Sequence, residues 1–247
     1  MSSVSTVDLA IVLPVYNEEA SIERVVREWW PEVERYVPAF EFIVIDDGSM
    51  DETPLVISRL RAELGERLTC VRQENHGHGS ACMAGYRQAV EGEALYILQI
   101  DSDGQCDPRF FRMLWGLRDR SPLVYGKRVR RDDGTFRMLA SSVLRTGVFL
   151  ATGVWCADPN VPFRLMRTGV VASYISRVPR DFVLANVALT VLLEWDRVPA
   201  TIVPIHFRQR FGGRPSVRPL TMGARGIQLV RQLTAMGRGE SPTRSNR

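Results

Sequence analysis

The chain has 247 residues, of which 45% are hydrophobic and 24% charged, a length and balance that suit one α/β domain with a full core and exclude a fibrous or wholly disordered chain. Four cysteines without CxxC spacing read as reduced and structural in a cytosolic compartment. The net charge of +4 hides an asymmetry, because from Arg208 onward nine arginines face a single acid, Glu240, and the remainder is net negative; such a basic end suits phosphate, an anionic membrane surface or nucleic acid.

No secretory pattern opens the chain, and disorder is expected over residues 1–7 and in a basic tail at 238–247. Leu9 to Val15 is a continuous apolar run, as in a strand buried on both faces. Glu18 to Tyr36 places Ile22, Val25, Val26, Trp29 and Trp30 at helical spacing. Phe40 to Ile45 reads as a second buried strand, and Asp51 as the cap of a helix to about Leu64. Then come a short strand (Leu68–Val71), a glycine-rich turn (Asn75–Gly79), a helix (Ser80–Val90) and a strand (Ala94–Ile100). Asp107-Pro108 opens a further helix, Leu123–Tyr125 is a strand, and Arg128–Gly134 a polar loop.

Helices are expected near Phe136–Gly153, Thr168–Ser176, Asp181–Glu194 and Thr221–Met236, with strands at Phe163–Leu165 and Val198–Phe207. The apolar stretches Val143–Ala157 and Phe182–Leu193 are shorter than the ~20 residues that span a bilayer; both suit core helices, and the first also suits an interfacial one. Strands alternating with helices predict an α/β fold with a doubly wound, mostly parallel sheet. The expected organisation is one domain over 1–237, in two halves, 8–128 and 129–237.

In such sheets ligands bind beyond the carboxyl ends of the strands. Three acidic turns fall there: Tyr16-Asn17-Glu18, Asp46-Asp47 and Asp101-Ser102-Asp103-Gly104-Gln105. Their like charges repel, and a divalent cation with hard oxygen ligands, Mg²⁺ or Mn²⁺, resolves that conflict and also takes ligand phosphates. The incomplete GxGxxG at Gly77–Cys82 is a weak dinucleotide signal. His76 and His78 read as turn residues rather than zinc ligands, and His206 as a packed or surface histidine. No nucleic-acid partner is expected, because the basic end lacks interleaved aromatics and a recognisable module.

Leu13-Pro14-Val15-Tyr16-Asn17-Glu18, Ile45-Asp46-Asp47-Gly48-Ser49-Met50-Asp51-Glu52-Thr53, Asn75 to Ala84, and Asp101 to Gln105 resemble, in order and spacing, the four motifs of glycosyltransferase family 2, whose members have the GT-A fold. The resemblance implies a nucleotide-sugar pocket formed by Pro14, Tyr16, Glu18, Asp46, Asp47, Gly79, Asp101 and Ser102. It also implies a metal held by Asp101, Asp103 and Gln105. The second half is similar to the polyprenyl-phosphate hexosyl synthases: Gly126-Lys127-Arg128, the amphipathic Ser141–Gly153, Asp158 with Phe163-Arg164-Leu165, and Val203-Pro204-Ile205 with Arg210 and Gly213. By that likeness Arg128 and Arg210 grip an acceptor phosphate, assisted by Arg137 or Arg145, with bidentate guanidinium forks suited to it. The chain departs from the pattern at Arg214-Pro215-Ser216, where a Ser-Lys pair is usual, so Arg214 or Arg218 has to supply the missing charge.

A phosphate acceptor is already ionised at neutral pH, and a Glu-Asp base pair is absent from the second half, although Asp158 or Asp181 remains as a base, with Asp103 beside the reacting centre. The expected partners are a GDP- or UDP-hexose and a polyprenyl phosphate, met peripherally at the cytoplasmic membrane face. A hydroxyl acceptor, a non-catalytic binding role, a homo-oligomer and an integral membrane partner all stay open.

Overall fold

A computed structural model describes residues 7–131, 135–179, 182–212 and 219–237, with side chains at all of these except 130–140, 219–225 and 237. The expectations for residues 1–6, Asp181, Gly213–Arg218 and the tail 238–247 lie outside the described residues.

The apolar runs become strands because they are buried on both faces. β1 (Leu9–Val15) is buried at every position, and β2 (Phe40–Asp46) at all but Glu41. They pair in parallel from Leu9↔Phe40 to Val15↔Asp46, so both chains leave the sheet at the same edge. β3 (Leu68–Arg72) joins β2, and β4 (Tyr96–Gln99) joins the other side of β1, again in parallel. The full order is β3-β2-β1-β4-β6-β5-β7, where β5 is Leu123–Arg131, β6 Arg164–Arg167 and β7 Ala200–Phe207. β6 runs antiparallel to both of its neighbours, and the other four pairings are parallel. The sheet grows outward in opposite directions from β1 and β4, and the crevice at such a reversal is where open α/β sheets bind ligands.

The helices follow the expected periodicity. α1 (Ile22–Glu34) turns Ile22, Val25, Val26, Trp29 and Val33 inward, and Trp29 meets Phe111 and Phe163 edge-on at 6.2 and 5.4 Å. α2 (Thr53–Leu64) and α3 (His78–Glu91) follow, then α4 (Phe111–Gly116), α5 (Thr135–Thr152), α6 (Thr168–Ile175), α7 (Ala185–Trp195) and α8 (Pro219–Gly237). One hydrophobic core runs from Leu9 to Leu233. α8 docks through Leu229 and Leu233, and Gln232 Oε1 accepts from the Val183 amide at 3.0 Å.

Several boundaries differ from expectation. β5 does not stop at Tyr125 but runs to Arg131, because β7 offers a parallel partner through Phe207, with a bulge between Arg128 and Arg130. Polarity alone had marked Arg128–Gly134 as a loop; an edge ladder tolerates charged residues as long as its backbone is paired. Pro204 fits on β7 because that strand stands at the end of the sheet order, with β5 as its one neighbouring strand among the described residues. Asp51 does not itself precede the first turn of α2, but its Oδ1 accepts from the Thr53 amide at 3.0 Å. The helix expected from Asp181 begins at Ala185.

Candidate functional site

The turns after β1 and β2 are tied to each other before any ligand is considered. Asn17, in a left-handed conformation (φ 53°), donates its amide to the Ser49 hydroxyl oxygen at 3.0 Å, and its Oδ1 accepts from the Met50 amide at 2.9 Å. The Glu18 amide donates to Thr53 Oγ1 at 2.8 Å. Pro14 is buried inside β1, and its carbonyl accepts from the buried Ser102 hydroxyl at 2.9 Å, which pins the β4 loop against the end of β1. Tyr16 stands half-buried at that end.

Asp46 and Asp47 are both buried and partnered. Asp46 Oδ1 accepts from the Ser49 amide at 2.9 Å, and its Oδ2 lies 3.5 Å from the Arg72 guanidinium. Asp47 anchors the glycine-rich turn: Oδ1 accepts from Gln73 Nε2 (2.7 Å) and the His76 amide (3.0 Å), and Oδ2 from the Gly77 amide (2.8 Å). Gly79 lets α3 abut the next element, since a Cβ there would lie 2.9 Å from the Ala185 nitrogen.

The third acidic turn divides its two carboxylates between different partners. Asp101 Oδ1 is 3.0 Å from His78 Nε2. His78 therefore belongs to the site, contrary to its reading as a plain turn residue. Asp103 Oδ1 accepts from the Gln105 amide at 3.0 Å, and Oδ2 lies 3.5 Å from Arg210 Nη1. The same guanidinium grasps Glu18 through Nη2. Arg210 thus spans the acidic ends of β1 and β4 as a protein counter-ion. Glu18 also accepts from Ser21 Oγ at 2.5 Å. Burial raises the Glu18 pKa, with the Asp103 charge adding to the rise, while Ser21 and Arg210 oppose it. The expected repulsion between acidic turns is therefore met locally, by backbone amides and three basic side chains. Among the described residues no three His, Cys, Asp or Glu side chains gather as a metal cage.

The segment after β7 lies directly along the β4 loop. The Arg208 amide donates to the Gln105 carbonyl and the Phe211 amide to the Asp103 carbonyl, both at 3.0 Å. Gln105 Nε2 in turn donates to the Arg208 carbonyl at 3.2 Å. Gly104 (φ +81°) sits beneath Phe211 so closely that a Cβ would be 2.3 Å from the ring. Arg128 on β5 and Asp158, in the segment between α5 and β6, form a mostly buried bidentate pair, Nε–Oδ2 2.6 Å and Nη2–Oδ1 2.5 Å. These two residues, read separately as a phosphate ligand and a base, face each other. The side chain of Arg137 and the whole of Arg214 lie outside the described residues. His206 is half-buried on β7, opposite Arg130.

The structure brings Glu18, Asp103 and Arg210 together, sets His78 against Asp101 and lays Arg208 along the loop that carries Gln105; read from sequence alone, His78 and Arg208 have no place there. His78 opens α3 directly after Gly77, whose amide Asp47 holds, two residues earlier than the Ser80 start expected for that helix.

Comparison with known proteins agrees with this architecture. The undecaprenyl-phosphate 4-deoxy-4-formamido-L-arabinose transferase of Pectobacterium atrosepticum is 28% identical over 207 residues, covering 83% of this chain and 61% of that protein. The protein of the same name from Pectobacterium carotovorum subsp. carotovorum has the same identity and coverage. The chain thus spans about three fifths of the length of these curated relatives. Among solved structures, glucosyl-3-phosphoglycerate synthase from Mycobacterium tuberculosis in complex with uridine diphosphate superposes with a TM-score of 0.65 at 22% identity, over 96% of this chain and 82% of that one. Its complex with Mn²⁺, UDP-glucose and glycerol 3-phosphate gives 0.64 at 21%, with the same coverage. That likeness shows the fold, the GT-A type expected. The family model described as Glycosyl transferase family 2 matches residues 10–171, most of the chain, and this protein belongs to that family.

Proposed function

We propose that the chain transfers one hexose, with inversion, from a nucleoside diphosphate to the phosphate of a polyprenyl lipid at a membrane face. The observation that carries this is Arg210 resting between Glu18 and Asp103, which brings a phosphate-binding fork from the second half of the chain against the donor-side carboxylates. The two relatives named as undecaprenyl-phosphate transferases support a lipid phosphate as acceptor.

Asp101 and Asp103, with Gln105, are the residues that would hold a divalent cation. Their hard oxygen donors fit Mg²⁺ or Mn²⁺, which take one or two carboxylates and complete their shell with ligand phosphates and water. When bound, such a cation neutralises charge developing on the leaving diphosphate. Glu18, Tyr16 and the Asp46-Asp47 turn flank the donor. Arg210, which lies between Glu18 and Asp103, would present two parallel N–H groups to the acceptor phosphate. An acceptor oxygen then attacks the anomeric carbon from the face opposite the diphosphate; its C–O bond forms as the bond to the diphosphate breaks. No proton has to be removed from an ionised phosphate, which accords with Asp158 being engaged by Arg128.

The lipid would lie along α5 and α8. These helices border a groove of about 490 Å³ lined by Val143, Leu144, Val148, Ile227 and Val230 among others. Leu150 and Ile227 expose 78% and 60% of their surface, and no described helix is long and apolar enough to cross a membrane. An apolar face of this kind suits lying in the interface.

The test is label transfer from radiolabelled UDP- and GDP-hexoses to short-chain polyprenyl phosphate with Mn²⁺ or Mg²⁺. Label is expected in the organic phase. Label that stays wholly in water rejects the proposal, and label appearing only on added hydroxyl acceptors favours a glycan or lipid hydroxyl instead. The double variant Leu150→Glu, Ile227→Glu is expected to lose several-fold turnover with vesicle-borne acceptor and little with a detergent-dispersed one.

A further inference from the structure

We propose that Arg208 is a positioning residue that fixes the Asp101–Gln105 loop and couples it to the arginine loop carrying Arg210; this rests on the functional reading above. The residue lies outside the family motifs quoted for the second half, and the sequence marks it only as one of nine arginines in a basic end.

Its side chain does three things at once. Nε donates to the Gly104 carbonyl at 3.1 Å, Nη2 donates to the Cys106 carbonyl at 3.3 Å, and Nη2 also meets Glu28 Oε2 of α1 at 3.0 Å. Gly104 directly follows Asp103, and Gly104 and Cys106 flank Gln105. The guanidinium carbon sits 4.9 Å from the centre of the Phe211 ring, and that ring covers Gly104. Arg24 of α1 approaches the same ring at 3.7 Å and also pairs with Glu28. A fixed helix, α1, thereby braces both a loop of candidate metal ligands and the segment that delivers Arg210.

The geometry separates this role from that of an ordinary surface ion pair. An exposed Arg–Glu pair contributes little, and here that pair is one contact of three. The other two go to main-chain carbonyls of the loop, in the fork geometry that guanidinium provides and an ammonium does not. Outer partners of this type hold ligand side chains in their working orientation, and their loss typically weakens metal binding about 10- to 100-fold.

The experiment compares wild type, Arg208→Ala, Arg208→Lys and Glu28→Gln, full-length, by two readouts. The first is deuterium uptake over residues 101–107 without metal. Arg208→Ala is expected to exchange faster there, while its melting curve stays a single cooperative transition. The second is Mn²⁺ affinity in the presence of UDP or GDP, followed by electron paramagnetic resonance. It is expected to fall about tenfold in Arg208→Ala, to recover only partly in Arg208→Lys, and to change less than threefold in Glu28→Gln. Arg208→Ala with uptake and Mn²⁺ affinity both within twofold of wild type overturns the inference, as does full recovery by lysine. Wild type that takes no Mn²⁺ with either nucleotide overturns the functional reading instead, and faster uptake in Arg208→Ala then still upholds the bracing of the loop.

Discussion

Asp103→Asn is expected to abolish nearly all sugar transfer, by at least about a hundredfold in kcat, on the scale seen when one preorganised electrostatic contact to a developing charge is removed. The substitution is a clean one structurally. Asp103 Oδ1 accepts from the Gln105 amide inside its own loop, and the asparagine oxygen keeps that bond. What disappears is the negative charge that faces Arg210 and that a divalent cation would need. The melting temperature should therefore move by only a few degrees while steady-state transfer collapses. Activity within threefold of wild type would mean that Asp103 takes no part in holding the diphosphate.

The second large effect is on stability. Arg164→Met is expected to cost about 3 kcal/mol, because it strands several buried acceptors at once. Arg164 is 3% exposed and meets no carboxylate at salt-bridge distance among the described contacts. Instead its guanidinium donates to the carbonyls of Val161 (2.7 Å), Pro159 (2.8 Å) and Asn186 (3.3 Å) and to Thr190 Oγ1 (2.9 Å). These contacts fix the turn that follows Asp158 and tie β6 to α7. At roughly 2–4 °C per kcal/mol for a chain of this size, the melting midpoint should drop by about 6–12 °C. Arg164→Lys should recover little of it, since one ammonium cannot reach carbonyls arranged around a planar fork. A midpoint within 2 °C of wild type in Arg164→Met would show that the network is not what holds this turn.

Much of this architecture was legible in the residues because β1, β2 and β4 are buried on both faces and advertise it as unbroken apolar runs. Their ends then locate the acidic turns without further information, and family motifs add the roles. The residues of the second half were harder to place. Arg128, Arg130 and Arg131 look like a loop by their polarity and become strand only because β7 lies beside them, a pairing of residues 76 or 77 positions apart that no local pattern records. The same holds for Arg210, whose partner Glu18 is 192 residues away, and for Arg128 with Asp158. Charge pairs of this kind are decided by which strands become neighbours, so the sequence names the participants and the sheet order decides who meets whom. The acidic turns also carry less unbalanced charge than their carboxylates alone suggest, because backbone amides, Arg72, His78 and Arg210 already meet them.

The account turns on whether the Asp101–Asp103 loop delivers a divalent cation to a nucleoside diphosphate. Thermal melting of wild type and Asp103→Asn with UDP, GDP and their hexoses, each with and without Mn²⁺, tests this most directly, because a ligand that binds only the folded chain raises the midpoint by mass action. One nucleotide series should stabilise wild type strongly with Mn²⁺, weakly without it, and the variant hardly at all. Equal stabilisation with and without the metal, undiminished in Asp103→Asn, or no response to any of these nucleotides, would contradict it.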